Sequence, residues 1–85
     1  MDNASTRVTR WRFAPGAATG WHRHAYDYVV VPLVDGRVRL VEPEGEREIA
    51  MTAGASYFRP AGVEHDVINA GAGDYAFVEI EFKSG

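Results

Sequence analysis

The stretch GASYFRPAGVEHDVIN, residues 54–69, has the most distinctive spacing of residues in the chain. Two glycines and Pro60 precede His65, and Asn69 closes the stretch. Glycine permits tight turns, proline fixes the backbone angle of a turn, and asparagine can hydrogen-bond to nearby backbone. The spacing therefore predicts a histidine held at the start of a short strand by a rigid turn.

A second stretch, GWHRH at residues 20–24, holds two of the three histidines of the chain. His22 and His24 are two positions apart, so on an extended segment both imidazoles point to the same face. His65 begins another short strand, and three inward imidazoles of a small barrel can meet at one point. Neutral imidazole is the commonest protein ligand for transition metals. Surface histidines remain the commoner explanation of an HxH pair taken by itself.

Short apolar segments separated by turn residues run along the chain, and no segment has a sustained helical period. This pattern predicts an antiparallel β-sandwich or barrel. Asp35-Gly36 is a strong hairpin signal between two of the segments. The predicted strands are residues 8–13, 26–34, 37–42, 47–52, 57–59, 67–69 and 75–82.

Length and composition limit the function classes. The chain has 85 residues, a net charge of −3 and no cysteine. The acidic balance gives no indication of a nucleic-acid partner, and no apolar run is long enough for a membrane span. The lack of cysteine and of an apolar leader favours the cytoplasm. Because so short a chain buries a thin core, a bound metal or a partner chain is expected to add stability.

The positions of these residues resemble the two motifs of the cupin superfamily. The second motif is matched at every position by Gly54, Pro60, Gly62, His65 and Asn69, within residues of about 54–69. Gly16, His22, His24 and Gly36, at about 16–36, resemble the first motif. The resemblance implies a single cupin domain over residues 1–85. It also implies an all-β fold, a small double-sheet antiparallel β-barrel of the cupin or jelly-roll type.

The resemblance implies a divalent transition metal, with iron, zinc, nickel and manganese all open, bound by His22, His24 and His65. Cupins usually supply a glutamate as a fourth ligand, but Tyr28 or Val29 stands at that position here. Asp27 is the nearest carboxylate. Its strand parity opposes that of the histidines, so it reaches the site only if a bulge turns it inward.

Three neutral imidazoles leave the metal with its full charge, which favours an anionic ligand in the open positions. By resemblance to cupins with three-histidine iron sites, the first functional hypothesis is a metal-dependent oxygenase or related enzyme acting on a small anionic metabolite. The alternative is a non-catalytic cupin that binds a small molecule and accompanies amino-acid catabolism, for example that of β-alanine.

Pocket-lining residues are harder to assign than metal ligands. Tyr26 and Tyr28 share the parity of the histidines and are the pocket candidates, although strand aromatics are more often core. Arg59 could meet a substrate carboxylate, but a surface arginine is the commoner case.

A homodimer is also expected. The alternating segment VTRWRF, residues 8–13, presents Trp11 and Phe13 on one side, which can pair with a second copy along an edge strand. The same alternation equally allows Trp11 and Phe13 to close the chain's own barrel.

Overall fold

Two antiparallel four-stranded sheets form the protein, whose computed structural model describes residues 1–83. The strands are β1 (Thr6–Phe13), β2 (His22–Arg23), β3 (Asp27–Pro32), β4 (Gly36–Glu42), β5 (Gly45–Met51), β6 (Tyr57–Arg59), β7 (Glu64–Asn69) and β8 (Tyr75–Phe82). The first sheet has the order β1-β8-β3-β6 and the second has the order β2-β7-β4-β5. The predicted all-β, double-sheet architecture is confirmed. None of the described residues forms a helix that could span a membrane.

The core lies between the inward faces of the two sheets. Alternate residues of β3 and β4 are buried, as expected for strands that have one face on a core. The buried cluster combines Tyr28 and Val30 of β3, Val38 and Leu40 of β4, and Tyr75 and Phe77 of β8.

The aromatic side chains of β1 pack on the chain's own barrel. Phe13 meets Tyr75 and Phe77 edge-on, with ring centroids 5.9 and 6.0 Å apart. Trp11 stacks on Phe77 at 6.3 Å. Of the two alternatives that the sequence left open for this strand, the described contacts match closure of the barrel.

The hairpin predicted at Asp35-Gly36 is wrong. The strands on either side of it, β3 and β4, lie in different sheets, so this turn carries the chain across the core. The Asp35 carboxylate accepts a hydrogen bond from the Ala53 backbone N–H at 2.8 Å. Gly36 packs beneath Tyr75, and a Cβ at that position would lie 2.6 Å from the Tyr75 ring. A true two-residue hairpin instead joins β4 to β5, where Glu42 pairs with Gly45.

Strand β8 lies between β1 and β3 and turns an unusual row of side chains inward. Tyr75 and Phe77 fill the core, but Glu79 and Glu81 on the same face are also buried, with 8% and 7% of their surface exposed. The inner face of β8 therefore changes from aromatic to acidic along the strand.

Candidate metal centre and its cavity

The structure brings the three predicted histidines together. His22 on β2 pairs in register with His65 on β7, and His24 follows directly after β2. The Nε2 atom of His24 lies 2.9 Å from Nε2 of His22 and 3.1 Å from Nε2 of His65. His24 and His65 are buried, and His22 is half-buried. Three ring nitrogens thus converge on one point inside the barrel.

The spacing of these nitrogens fits a bound transition metal. A metal about 2.1 Å from each nitrogen separates them by about 3.0 Å when the bond angles are about 90°, and by about 3.4 Å when they are tetrahedral. The two separations from Nε2 of His24, 2.9 and 3.1 Å, are close to the first value. Three histidines on one face of an octahedron would leave the opposite positions for small ligands.

The protonation state of the cluster also suits a metal. Nδ1 of His22 lies 2.8 Å from the Gly20 carbonyl oxygen. An imidazole nitrogen facing a carbonyl oxygen must donate, which leaves Nε2 of His22 with its lone pair free. Burial lowers the pKa of His24 and of His65 to about 4, so both rings are neutral at pH 7.

Tyr28, one of the two residues at the position of the usual cupin glutamate, lies against the histidines. Its ring stacks on His24, with centroids 3.9 Å apart and planes 19° apart. The side chain is 1% exposed. This contact fixes the orientation of the His24 ring by packing rather than by a carboxylate.

Asp27 does not enter the site. It is exposed, and its carboxylate accepts a hydrogen bond from the Ala61 backbone N–H at 2.8 Å. The pairing of β3 with β8 runs without interruption from Asp27 to Pro32, so no bulge turns Asp27 inward. Neither of the groups of potential metal ligands among the described residues includes it.

We therefore expect Asp27→Asn to leave metal affinity unchanged, because the substitution removes a charge outside the barrel and keeps the oxygen that Ala61 contacts. Metal titration of the wild type and the variant would measure this. A loss of about ten-fold or more, typical of a ligand or of its direct partner, would contradict the placement.

Tyr26 also lies outside the cavity, contrary to the prediction. It is half-buried, and the Arg7 guanidinium carbon lies 6.0 Å from its ring centroid. Strand parity failed here because residues 25–26 form a bend between β2 and β3, which interrupts the alternation.

A cavity of about 430 Å³ opens beside the histidines, between the two sheets. Its wall is largely apolar, with Val30, Val38, Leu40, Phe77 and Tyr57 among the lining residues. Arg7, Arg59, Glu79 and Glu81 supply charges in the same wall. A volume of this size accommodates a small metabolite.

Two arginine–carboxylate pairs flank the cavity. Arg7 donates to both carboxylate oxygens of Glu81, at 3.0 and 3.1 Å. Arg59 donates to Glu42 at 3.1 Å, is half-buried and lines the cavity, so it is not the exposed surface arginine that the sequence favoured. Burial alone would raise the pKa of Glu42, but hydrogen bonds from Arg59 and Arg47 outweigh it and lower that pKa.

The acidic residues of the cavity are the functional side chains that the sequence analysis missed. One carboxylate oxygen each of Glu79 and Glu81 lies within 4.8 Å of the other and of a ring nitrogen of His24. Burial and the neighbouring Glu81 raise the pKa of Glu79 to about 7. The signal was present in YAFVEIEF, where both glutamates share the parity of Tyr75 and Phe77.

The sheets and the converging imidazoles define a small jelly-roll barrel with a candidate metal centre. The chain belongs to the cupin family, because the cupin domain model matches residues 9–81. It is 61% identical over 83 residues to the β-alanine degradation protein BauB of Pseudomonas aeruginosa, covering 98% of this chain and 87% of that protein.

Solved structures show the same fold. A cupin domain from Bordetella pertussis is 54% identical, with a TM-score of 0.96, over 99% of this chain and 88% of the other. A Klebsiella pneumoniae protein with a double-stranded β-helix domain has a TM-score of 0.81 at 19% identity, over 100% of this chain and 73% of the other. The second likeness concerns the fold alone.

Proposed function

We propose that this chain is a cytoplasmic cupin that holds one divalent transition metal through His22, His24 and His65 and acts on a small metabolite. The observation that carries the proposal is the convergence of three Nε2 atoms at the wall of a cavity. The His24 atom lies 2.9 Å from that of His22 and 3.1 Å from that of His65. When bound, such a metal supplies Lewis acidity and open positions for a small ligand.

The residues around the candidate metal centre have different roles in the proposed function. Burial keeps the imidazoles of His24 and His65 neutral, and the stacked Tyr28 ring holds His24 in place. The apolar wall excludes water, which strengthens polar contacts to a bound molecule. Arg7 and Arg59 are positioned by their carboxylate partners at the border of the cavity.

The first candidate function is a metal-dependent oxygenase or related enzyme. Separations of 2.9 and 3.1 Å from the His24 nitrogen are compatible with an octahedral metal such as iron, manganese or nickel, and zinc stays open. The second is a binding protein that accompanies amino-acid catabolism, and the name of the Pseudomonas relative, a β-alanine degradation protein, supports it.

Metal analysis of protein purified without a histidine tag tests the proposal, with about one transition metal per chain expected. Iron-loaded protein is then offered small carboxylic and amino acids while dissolved oxygen is recorded. Oxygen uptake supports the enzyme, and calorimetric binding without uptake supports the binding protein. The absence of both metal and ligand binding would contradict the proposal.

We also propose a homodimer, formed through the outer face of the first sheet. Val29 and Val31 of β3 pair in register with Ile80 and Val78 of β8, and these outward side chains are only half-buried. Phe58 on β6 is 57% exposed on the same face. An apolar sheet face of this kind can pack against its own copy across a two-fold axis.

Phe58→Glu is accordingly expected to convert a dimer to a monomer, because it places a charge in the apolar contact, beside Val29 of β3. Light scattering would report a fall from about twice the chain mass of 9.4 kDa to that mass. Trp21→Glu, at an exposed aromatic just before β2, is the matched control. A wild-type protein that stays monomeric when concentrated would contradict the proposal.

A further inference from the structure

Glu79 is a buried acidic side chain without a basic partner. It is 8% exposed on the inner face of β8. Glu81 is bound by Arg7, and Glu42 by Arg47 and Arg59, but within residues 1–83 no arginine or lysine pairs with Glu79. A buried carboxylate normally has such a partner, because the ionised form is costly to bury alone.

The location of Glu79 places it beside the histidine centre. One of its oxygens lies within 4.8 Å of a ring nitrogen of His24, and both residues line the same cavity. A small molecule that contacts Glu79 is therefore close enough to reach the three histidines with its other end.

The Tyr28 hydroxyl is a second, independent sign of a missing ligand. Tyr28 is 1% exposed and lines the cavity, yet its hydroxyl has no hydrogen-bond partner in the described part of the chain. Buried polar groups are nearly always hydrogen-bonded, and exceptions are found where a ligand or water supplies the partner. The carboxylate calls for a ligand with donor hydrogens, and the hydroxyl can accept one of these hydrogens or donate its own to the ligand.

An ammonium group meets this requirement. It carries three donors and a positive charge, and its hydrogen bonds to a carboxylate are charge-assisted. Building on the function proposed above, we propose that Glu79 binds the ammonium group of a small primary amine or short amino acid. The carboxylate of a short amino acid would then face the histidine centre, where positive charge is expected.

This assignment refines the anionic metabolite expected from the sequence. Three imidazoles with a divalent metal attract an anion, but the adjacent Glu79 carboxylate, which has no basic partner among the residues described, repels one. A molecule with an ammonium group at one end and a carboxylate at the other can bind Glu79 with the first and the histidine centre with the second. The separation of at most 4.8 Å between the carboxylate and imidazole atoms limits it to a short chain.

Calorimetry with three probes tests the proposal on the protein as purified. β-Alanine has both groups, propionate lacks the amine, and propylamine lacks the carboxylate. We expect β-alanine to bind about 10- to 100-fold more tightly than propionate, the size of a charge-assisted hydrogen bond. Glu79→Gln keeps the shape of the side chain and is expected to remove this preference. Glu44→Gln, in the exposed turn after β4, is the matched control.

Propylamine separates this proposal from the metal proposal. Its binding should persist after the metal is removed by a chelator and should still depend on Glu79. Equal affinities for β-alanine and propionate, or an unchanged preference in Glu79→Gln, would overturn the assignment while leaving metal binding intact. If neither amine binds at millimolar concentration, the assignment is likewise overturned. Protein that cannot be loaded with a transition metal but still shows Glu79-dependent propylamine binding would instead contradict only the metal centre.

Discussion

Replacing His65 by alanine is expected to lower the affinity for a divalent transition metal by about 100-fold or more. His65 supplies one of three converging nitrogens, 3.1 Å from that of His24. Removing a residue that only hydrogen-bonds to a metal ligand lowers metal affinity by about 10- to 100-fold, and removing a ligand lowers it further. His22→Ala and His24→Ala should have effects of similar size, since each provides one nitrogen.

The measurement is metal content after dialysis, followed by titration of metal-free protein. Thermal unfolding gives a second readout, because a metal that binds only the folded state raises the wild-type melting temperature. The His65→Ala variant should show no such rise, while Asp27→Asn should behave as wild type. Full metal occupancy in a His22→Ala, His65→Ala double variant would show that the metal binds elsewhere.

The shared face of His22 and His24 was predictable from a local rule, whereas their convergence with His65 was expected from the resemblance to the two cupin motifs. His22 and His24 share a face by strand parity, and the turn containing Pro60 fixes where β7 begins and thus where His65 lies. Strand parity predicts the direction of a side chain only within a continuous extended segment. Tyr26 follows His24 after a bend, and the alternation of β2 does not extend through it.

Pairing between strands was less predictable than the strands themselves. Asp35-Gly36 has the chemistry of a tight turn, and a hairpin and a crossover between sheets can use the same residues. Which occurs depends on the other partners of the flanking strands. Strand β3 pairs with β6 and β8, and β4 pairs with β5 and β7, so the two cannot pair with each other.

The acidic wall of the cavity was missed because hydrophobicity suggests the opposite orientation for β8. In YAFVEIEF the apolar residues Val78 and Ile80 alternate with Glu79 and Glu81, and a strand normally buries its apolar side. Here the glutamates face inward and the aliphatic residues face outward. A buried row of this kind conflicts with local patterning, and such conflicts are expected at functional sites.

Asn69 is expected to be the polar side chain whose loss most destabilises the fold. It is 1% exposed, and its side-chain N–H groups donate to the backbone oxygens of Phe13 at 3.0 Å and Gly73 at 2.9 Å. Its side-chain oxygen accepts from the Gly71 N–H at 3.0 Å. One amide thus ties the end of β1 and the turn before β8 to the end of β7.

Asn69→Ala would remove three hydrogen bonds to part-buried backbone groups, at a cost of about 0.5–1.5 kcal/mol each. Their sum is a substantial fraction of the roughly 5–15 kcal/mol that stabilises a small domain. Urea unfolding measures the loss. Asn3→Ala is the matched control, because Asn3 also accepts backbone hydrogen bonds but is exposed, so water can replace the side chain. Its free energy of unfolding should fall by no more than about 1 kcal/mol. Equal losses in the two variants would mean that burial of the Asn69 amide contributes nothing to its effect.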